Sequence, residues 1–345
     1  MNTLRSIIRN DHAIKREDYF ALFSQALEDR KHKSTLIALL AALSSKPLNL
    51  ADVINFVEYI EQDSPKQSLS VPDNIVNIVG TGGGISTFNI STTATFVAAS
   101  AGAKVLKSGS YAYNSQCGSL DLLTNLGINL NLSNAGLEAM LNELNIGFVS
   151  PKMYPPLLKR IAVSILPLAL KDIGGFINTI GPLLCPFQVQ GQICGVRSYD
   201  QIELFAQALH RLEIPNSIAV WSDIGMDEFS ALGINHFAMS HQSPKIQQLD
   251  PTHYGMSHTN IDELSGGSPA INEAIMKHIL KGGNPLAARD TVALNAAQIL
   301  ILSGQSDSIQ DATALALETI DNGAAYRLLQ KAIEFSQDVS SSASN

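Results

Sequence analysis

The apolar run Ile75 to Val79 breaks into Gly80-Thr81-Gly82-Gly83-Gly84. The chain then crosses a Ser/Thr/Asn stretch into an alanine-rich segment, so that residues 75–100 read IVNIVGTGGGISTFNISTTATFVAAS. Four glycines in five residues lose much conformational freedom when ordered, so a chain keeps them where bare backbone is needed. A strand, a glycine turn and a helix in this order place the turn at the carboxyl edge of an α/β sheet, where ligands bind. The helix N-terminus behind it offers unpaired N–H groups and partial positive charge, which suit a phosphate. No Gly-Lys pair follows, which excludes a Walker-A loop. The third glycine of a GxGxxG fingerprint would fall on Ile85, which excludes the dinucleotide motif. A tight turn without a ligand would show the same glycines. Asn89, Ser91 and Thr92 argue against it, because they put amide and hydroxyl groups where phosphate oxygens or a hydrated metal ion would lie.

The rest of the chain supports this frame. Residues 1–63 show only helical periodicity, as in Tyr19, Phe20, Phe23 and Leu27. The polar stretch Gln62 to Pro72 reads as a hinge or linker. Beyond it strands and helices alternate: strands at 75–79, 104–107, 146–149, 191–196, 217–221 and 235–239, with helices at 91–101, 118–126, 134–145 and 200–213. Further helices follow at 269–281, 285–303 and 308–335. Such alternation predicts an α/β fold with a mainly parallel central sheet flanked by helices, joined to a small N-terminal all-helical domain. The expected boundaries are 1–66 for the helical domain, completed by helices from about 155–182. Residues 73–154 and 183–335 form the larger domain, and 336–345 a disordered tail.

Charge and cysteines limit partners and compartment. A net charge of −8 disfavours nucleic acid or an anionic membrane surface as a partner. The start MNTLRSIIRNDH lacks the apolar stretch of a signal peptide, and Leu36 to Leu43, the longest apolar run, is too short to span a bilayer. Cys117, Cys185 and Cys194 form no CxxC pair, and read as buried thiols in a reducing cytoplasm. His236, His241, His253 and His258 lack i, i+4 spacing and read as surface loop residues rather than metal ligands.

Two further segments point at the glycine loop. Between Lys66 and Lys152 the only basic residues are Lys104 and Lys107, and Lys107 heads a second glycine and serine loop, KSGSYAYNSQCGS. Its ammonium would point at the same anion, with Ser115 and Ser119 as further donors. The strand SIAVW runs into SDIGMDEFS, leaving Asp227 and Glu228 adjacent at a strand's carboxyl end. Hard cations bound with phosphates usually take one or two carboxylates and several waters.

These residues resemble the anthranilate phosphoribosyltransferases, with nucleoside phosphorylases as more distant relatives of the same fold. GTGG at 80–83, TFNIST at 87–92, Lys107 with Gly109, Ser115, GSxDLL at 118–123, NxxGPLxxP at 178–186, MDE at 226–228 and LSGG at 264–267 stand in family order. The resemblance covers nearly the whole chain. It implies an enzyme of tryptophan biosynthesis, a cytoplasmic homodimer, that binds phosphoribosyl pyrophosphate and Mg2+. On the family's pattern Gly80, Gly83, Thr87, Asn89, Ile90, Ser91, Thr92, Lys107, Ser115 and Ser119 contact the phosphoribosyl donor. Gly84 belongs to the same loop, although the family has an acid there. Ser91 joins one magnesium ion, and Asp227 with Glu228 another. No covalent nucleophile is implied; donors and metal stabilise the departing pyrophosphate.

Apart from that acid and a glycine loop one residue shorter, the departures fall on the acceptor side, and the donor half is largely retained. The family's KHGNR becomes Lys107-Ser108-Gly109-Ser110-Tyr111, and the Tyr-His pair downstream survives only as Tyr154-Pro155. No arginine occurs between Arg160 and Arg197, where the family's carboxylate-binding arginine would fall. Ser108, Ser110, Tyr111 and Tyr154 are therefore the expected lining of an acceptor pocket, for an amine acceptor that need not be anthranilate; anthranilate itself would require Arg160 or Lys171 in place of the missing arginine. A catalytically silent ligand-binding paralogue of the same fold is the alternative.

Overall fold

The structure, a computed structural model, describes residues 2–9, 14–71, 74–82, 84–112 and 116–342. The chain divides into two compact units, Met1–Gln67 with Met153–Phe187, and Ser68–Lys152 with Gln188–Asn345.

The first unit is helical. Helices Asn2–Arg9, Arg16–Glu28, Lys33–Ser45 and Leu50–Glu61 bury apolar faces together, and Arg16–Glu28 and Leu50–Glu61 meet through aromatic rings. The Phe23 ring lies 4.9 Å from Tyr19, 5.4 Å from Phe56 and 5.2 Å from Tyr59. Phe176, from the later segment, packs edge-on to Phe56 at 5.3 Å, so aromatic contact ties 175–180 to the N-terminal helices. That later segment is broken into helices Pro156–Ser164, Leu170–Ile173 and Gly175–Ile180. Pro167 and Gly174, both poor helix formers, stand at the breaks.

The second unit is built on one seven-stranded sheet. Its strands are β1 (Ile75–Val79), β2 (Lys104–Lys107), β3 (Ile146–Phe148), β4 (Gly191–Gly195), β5 (Ser217–Ser222), β6 (Asn235–Met239) and β7 (Gln247–Leu249). The spatial order is β3-β2-β1-β4-β5-β6-β7. Strands β1 to β5 pair in parallel, and β6 and β7 add an antiparallel edge. The sheet is thus mainly parallel, as the alternation predicts; β7 is polar and short and gives no strand signal in the sequence. The chain moves outward from β1 to β2 and β3, then returns to place β4 on the other side of β1. The crevice between the carboxyl ends of β1 and β4 is therefore the topological switch point, the usual ligand site of such sheets.

The helix Ile90–Ser100 behind the glycine loop is buried from Ile90 to Ala99. Its small residues let it pack against β1, β2 and the helix Leu286–Leu302. Helix Asn134–Leu144 starts on the Ser133 side chain, which accepts from Gly136 N–H. It stops at Asn145 in left-handed conformation, which turns the chain directly into β3.

Three expectations need correction. The single helix expected over 308–335 is two, Ile309–Asp321 and Ala324–Ser342, because Gly323 at φ +71° breaks it. The tail expected to be disordered from 336 is helical through Ser342, anchored where the buried Ser336 hydroxyl accepts from Asn129 N–H. His236 is not a loop residue: it is buried in β6 and its Nε2 lies 2.7 Å from Asp223 Oδ1. The three cysteines are free and buried, as expected.

Candidate functional site

Polar residues inside an apolar strand need partners, and Asn77 in IVNIV shows where they are. It is fully buried; its Nδ2 donates to Gln192 Oε1 on β4, and its Oδ1 accepts from Ser108 N–H. One carboxamide thus links β1, β4 and the loop that follows β2, on the two sides of the switch point.

The glycine loop leaves β1 with Gly82 at φ +64°, a left-handed turn that favours glycine. Gly80 lets Asp227 approach: a Cβ there would stand 2.6 Å from Asp227 Oδ2 and push that carboxylate aside. The same carboxylate oxygen accepts from Gly82 N–H at 2.8 Å and from the Thr81 hydroxyl at 3.1 Å. Further along, Ile85 N–H donates to Gly225 O, and Gly84 is in contact with the same loop. Thr87 bridges to Ser265, and Phe88 N–H donates to Leu264 O, which seats TFN against the LSGG segment.

At the helix start, Ile90 is buried in the core of the unit, and Ser91 N–H donates to Glu228 Oε1 at 3.0 Å. The neighbouring Thr92 hydroxyl is buried and has no hydrogen-bond partner among the described residues. Asn89 directs its side chain away from the helix, Oδ1 accepting from Asn272 Nδ2 and Nδ2 donating to Cys117 O.

Lys104 and Lys107 divide their duties by position on β2. Lys104, at the strand's start, donates to Leu141 O and Asn145 Oδ1 and is structural. Lys107, at the carboxyl end, is 3% exposed and donates to Ile78 O at 3.0 Å and Ser108 O at 2.7 Å. An ammonium carries three N–H bonds, so one remains. Burial pulls Lys107 down to about 8, opposed by the charges of Glu228 and Asp227.

The acid pair follows β5 after a tight turn in which Ser222 and Met226 bridge. Glu228 is pushed up to about 7, first by burial and then by the Asp227 charge, against hydrogen bonds from Ser91 and attraction to Lys107. Two crowded carboxylates beside a serine hydroxyl are hard oxygen donors whose mutual repulsion a divalent cation would relieve. Among the described residues no group of three or more His, Cys, Asp or Glu is placed to hold a metal ion. A cation held here would complete its shell with ligand and water oxygens, as magnesium bound with phosphates does.

The remaining expected residues divide. Ser108 is buried beside Lys107, and Ser110 O accepts from Leu120 N–H at the start of helix Ser119–Asn125. Ser119 lies against Gly109 so closely that a Cβ there would meet its hydroxyl. These residues therefore gather beside Lys107. Tyr111 is exposed and lines a pocket of about 390 Å³ with Ser150, Lys152 and Gln337. Tyr154 belongs to the helical unit. Gly83, Tyr113 and Ser115 lie outside the described residues.

Sequence reading gives Thr81 and Gly82 no role of their own within the glycine loop, and does not single out Asn77, Gly195 or Asn272. Gly195 ends β4 under the acid pair, where a Cβ would meet Asp227 O at 1.8 Å. A glycine closing a strand and an asparagine inside an apolar one were the available signals. Asn272, on helix Pro269–Ile279, gives none, because its partner Asn89 is 183 residues away.

A parallel sheet with a glycine turn, a buried lysine and an acid pair at its switch point defines an α/β protein whose charged and polar groups gather at the carboxyl edge of the sheet. Residues 72–326 match the family described as "Glycosyl transferase family, a/b domain". The anthranilate phosphoribosyltransferase of Shewanella frigidimarina is 35% identical over 334 residues, 95% of each chain. That of Herpetosiphon aurantiacus is 34% identical over 337 residues, 95% of this chain and 97% of its own. Among solved structures, the Thermus thermophilus anthranilate phosphoribosyltransferase superposes with a TM-score of 0.82 at 27% identity, covering 98% of this chain and all of its own. The Saccharomyces cerevisiae enzyme, solved in complex with PRPP and Mg, gives 0.84 at 22% identity over 98% and 97%, a likeness of fold. The chain belongs to the anthranilate phosphoribosyltransferase family, a family of phosphoribosyl-transferring enzymes.

Proposed function

We propose that this chain is a magnesium-dependent phosphoribosyltransferase that moves 5-phosphoribosyl from phosphoribosyl pyrophosphate to an amine acceptor, and that anthranilate is not its preferred acceptor. The observation that carries the reading is the meeting of three elements at one switch point: the Gly80–Gly82 turn, Lys107, and the Asp227–Glu228 pair joined to both turn and helix. Departure of pyrophosphate leaves an oxocarbenium-like ribose and a highly charged leaving group, so the protein's task is to receive charge. The Thr92 hydroxyl, which has no hydrogen-bond partner among the described residues, is a donor for that purpose, and the remaining N–H of Lys107 adds a charged one. Asp227, Glu228 and Ser91 would hold magnesium, which supplies electrostatic stabilisation of the leaving pyrophosphate. The acceptor preference rests on chemistry the chain lacks. Arg160, the nearest preceding arginine, spends Nη2 on Leu27 O at 2.8 Å, and Ser108 spends its N–H on Asn77. The same reading has the enzyme acting as a cytoplasmic homodimer. The test is donor-dependent pyrophosphate release against a panel of aromatic amines, with anthranilate among them. Turnover of a neutral amine above anthranilate is expected; no release with any amine, and no donor binding, would overturn the proposal.

A further inference from the structure

Asn89 immediately precedes the helix Ile90–Ser100, where an asparagine ordinarily turns its carbonyl oxygen onto the first N–H groups of the helix. Here it makes no such bond. Its Oδ1 instead meets Asn272 Nδ2 at 2.8 Å, while Asn272 Oδ1 accepts from Gly267 N–H at 2.7 Å. This short relay determines the orientation of both amides. A backbone N–H can only donate, so the Asn272 atom facing Gly267 must be oxygen. The Asn272 atom facing Asn89 is then the NH2 group, and the Asn89 atom facing it must be oxygen. By elimination, Asn89 turns its own NH2 group away from Asn272, on the side where one hydrogen reaches Cys117 O at 3.4 Å. Asn272 is 1% exposed and the Cys117 thiol lies against the same carboxamide, so the relay is enclosed and water cannot readily substitute for a member.

We infer that Asn272 is a positioning residue for the transfer reaction: through Gly267 it locks Asn89 as a hydrogen-bond donor toward the anionic phosphoribosyl donor. The inference rests on reading Asn89 as a contact of that donor. An Asn89 free to flip would present a carbonyl oxygen to an anion in about half of its orientations, and one locked the other way would always do so. Substituting Asn272→Asp makes the wrong lock. The aspartate is isosteric and still accepts from Gly267, but its second oxygen demands the Asn89 NH2, turning the Asn89 carbonyl toward the ligand. Asn272→Ala removes the lock without reversing it.

Calorimetric titration of phosphoribosyl pyrophosphate with magnesium into wild type and both variants tests the inference. The expected order of affinity is wild type, then Ala weaker by a few-fold, then Asp weaker by tenfold or more. Asn272→Asp also brings a negative charge toward the anion, a through-space effect that persists in an Asn89→Ala background, whereas the reversed lock does not. Asp binding as tightly as Ala or more tightly overturns the inference. A double-mutant cycle separates the charge from the lock, and decides should the Ala variant fail to fold. In an Asn89→Ala background, Asn272→Asp should cost only that through-space part, less than a further twofold; an additive loss overturns the relay. An Asn89→Ala variant that binds as wild type does likewise, leaving the transferase reading standing. No binding by wild type removes both.

Discussion

Asp227 Oδ2 accepts hydrogen bonds from Gly82 N–H at 2.8 Å and from the Thr81 hydroxyl at 3.1 Å. A glycine turn at a sheet's carboxyl edge offers such groups to anions, and here a carboxylate of the protein itself takes them. Asp227 therefore fixes the loop, and under the proposed function it would also hold a cation.

Two substitutions separate these tasks. Asp227→Asn keeps an oxygen acceptor for the loop but loses the charge, so thermal stability should hold while magnesium ceases to strengthen binding of the phosphoribosyl donor. Asp227→Ala loses both. It should unfold several degrees earlier, in keeping with about 1–3 kcal/mol for charge-assisted bonds removed. Calorimetry with magnesium and with EDTA, beside thermal melts, reads the two effects. Full magnesium dependence in Asp227→Asn would remove this acid from the cation site.

Glu228 is the less comfortable member of the pair. Its folded pKa, about 7, stands above the ordinary 4.5 through burial and the Asp227 charge. A carboxyl in that position takes up a proton on folding between the two values, so its contribution to stability falls as pH rises from about 4.5 to about 7 and stays low above. Glu228→Gln should accordingly melt like wild type near pH 4.5 and higher than wild type at pH 8, by on the order of 1–3 kcal/mol, while losing its share of magnesium binding. An equal melting difference at both pH values would contradict the assignment.

Lys107 moves the other way. Burial lowers it to about 8, so the cation that anion binding needs is depleted as pH rises through that value. Affinity for inorganic pyrophosphate in EDTA should fall from pH 7 to pH 9 more steeply in wild type than in Lys107→Met. The variant should also lose stability, since Ile78 O and Ser108 O would lose a buried donor. A parallel decline in both proteins would place the titrating group elsewhere.

The glycine loop, the parallel strands and the acid pair were legible because each depends on neighbours in sequence: apolar runs, glycine clusters, adjacent acids at a strand end. What was not legible depends on partners far along the chain. Lys107 reads as a strand-end residue that could equally be solvated, and only the β1–β2 pairing places its ammonium under Ile78 O, out of water. Tyr111 reads as part of the acceptor pocket from its place in the loop, and only the fold shows that it shares a pocket with Gln337, far along the chain. Gly195 is an ordinary strand glycine until Asp227 is found against it.

Gly195 yields a prediction free of charge effects. A Cβ at this position would stand 1.8 Å from Asp227 O, a backbone atom that cannot swing aside as a side chain would. Gly195→Ala should displace the acid pair, lower stability by about 1–3 kcal/mol as overpacking does, and weaken magnesium-dependent donor binding. Unchanged magnesium dependence in a folded variant would show that the acid pair tolerates the shift.

The last expectation concerns the acceptor. A carboxylate entering a water-poor pocket needs a charged or multiply hydrogen-bonded partner, since an unpaired buried charge costs several kcal/mol. Arginine serves best through its two-pronged geometry, and the chain has none between Arg160 and Arg197. Arg160 is already bonded to Leu27 O. Lys171 is exposed and would bring a point charge without the fork. Ser108 and Ser110 can donate hydroxyl hydrogens, which suit a neutral amine better than an anion. Steady-state turnover of anthranilate at saturating donor and magnesium should therefore be poor. A kcat/KM of about 10⁴ M⁻¹s⁻¹ or more, the ordinary enzymatic range, would sink the idea. In that case Lys171→Ala should abolish the activity if its ammonium has taken the arginine's place, and leave it intact if backbone N–H groups have.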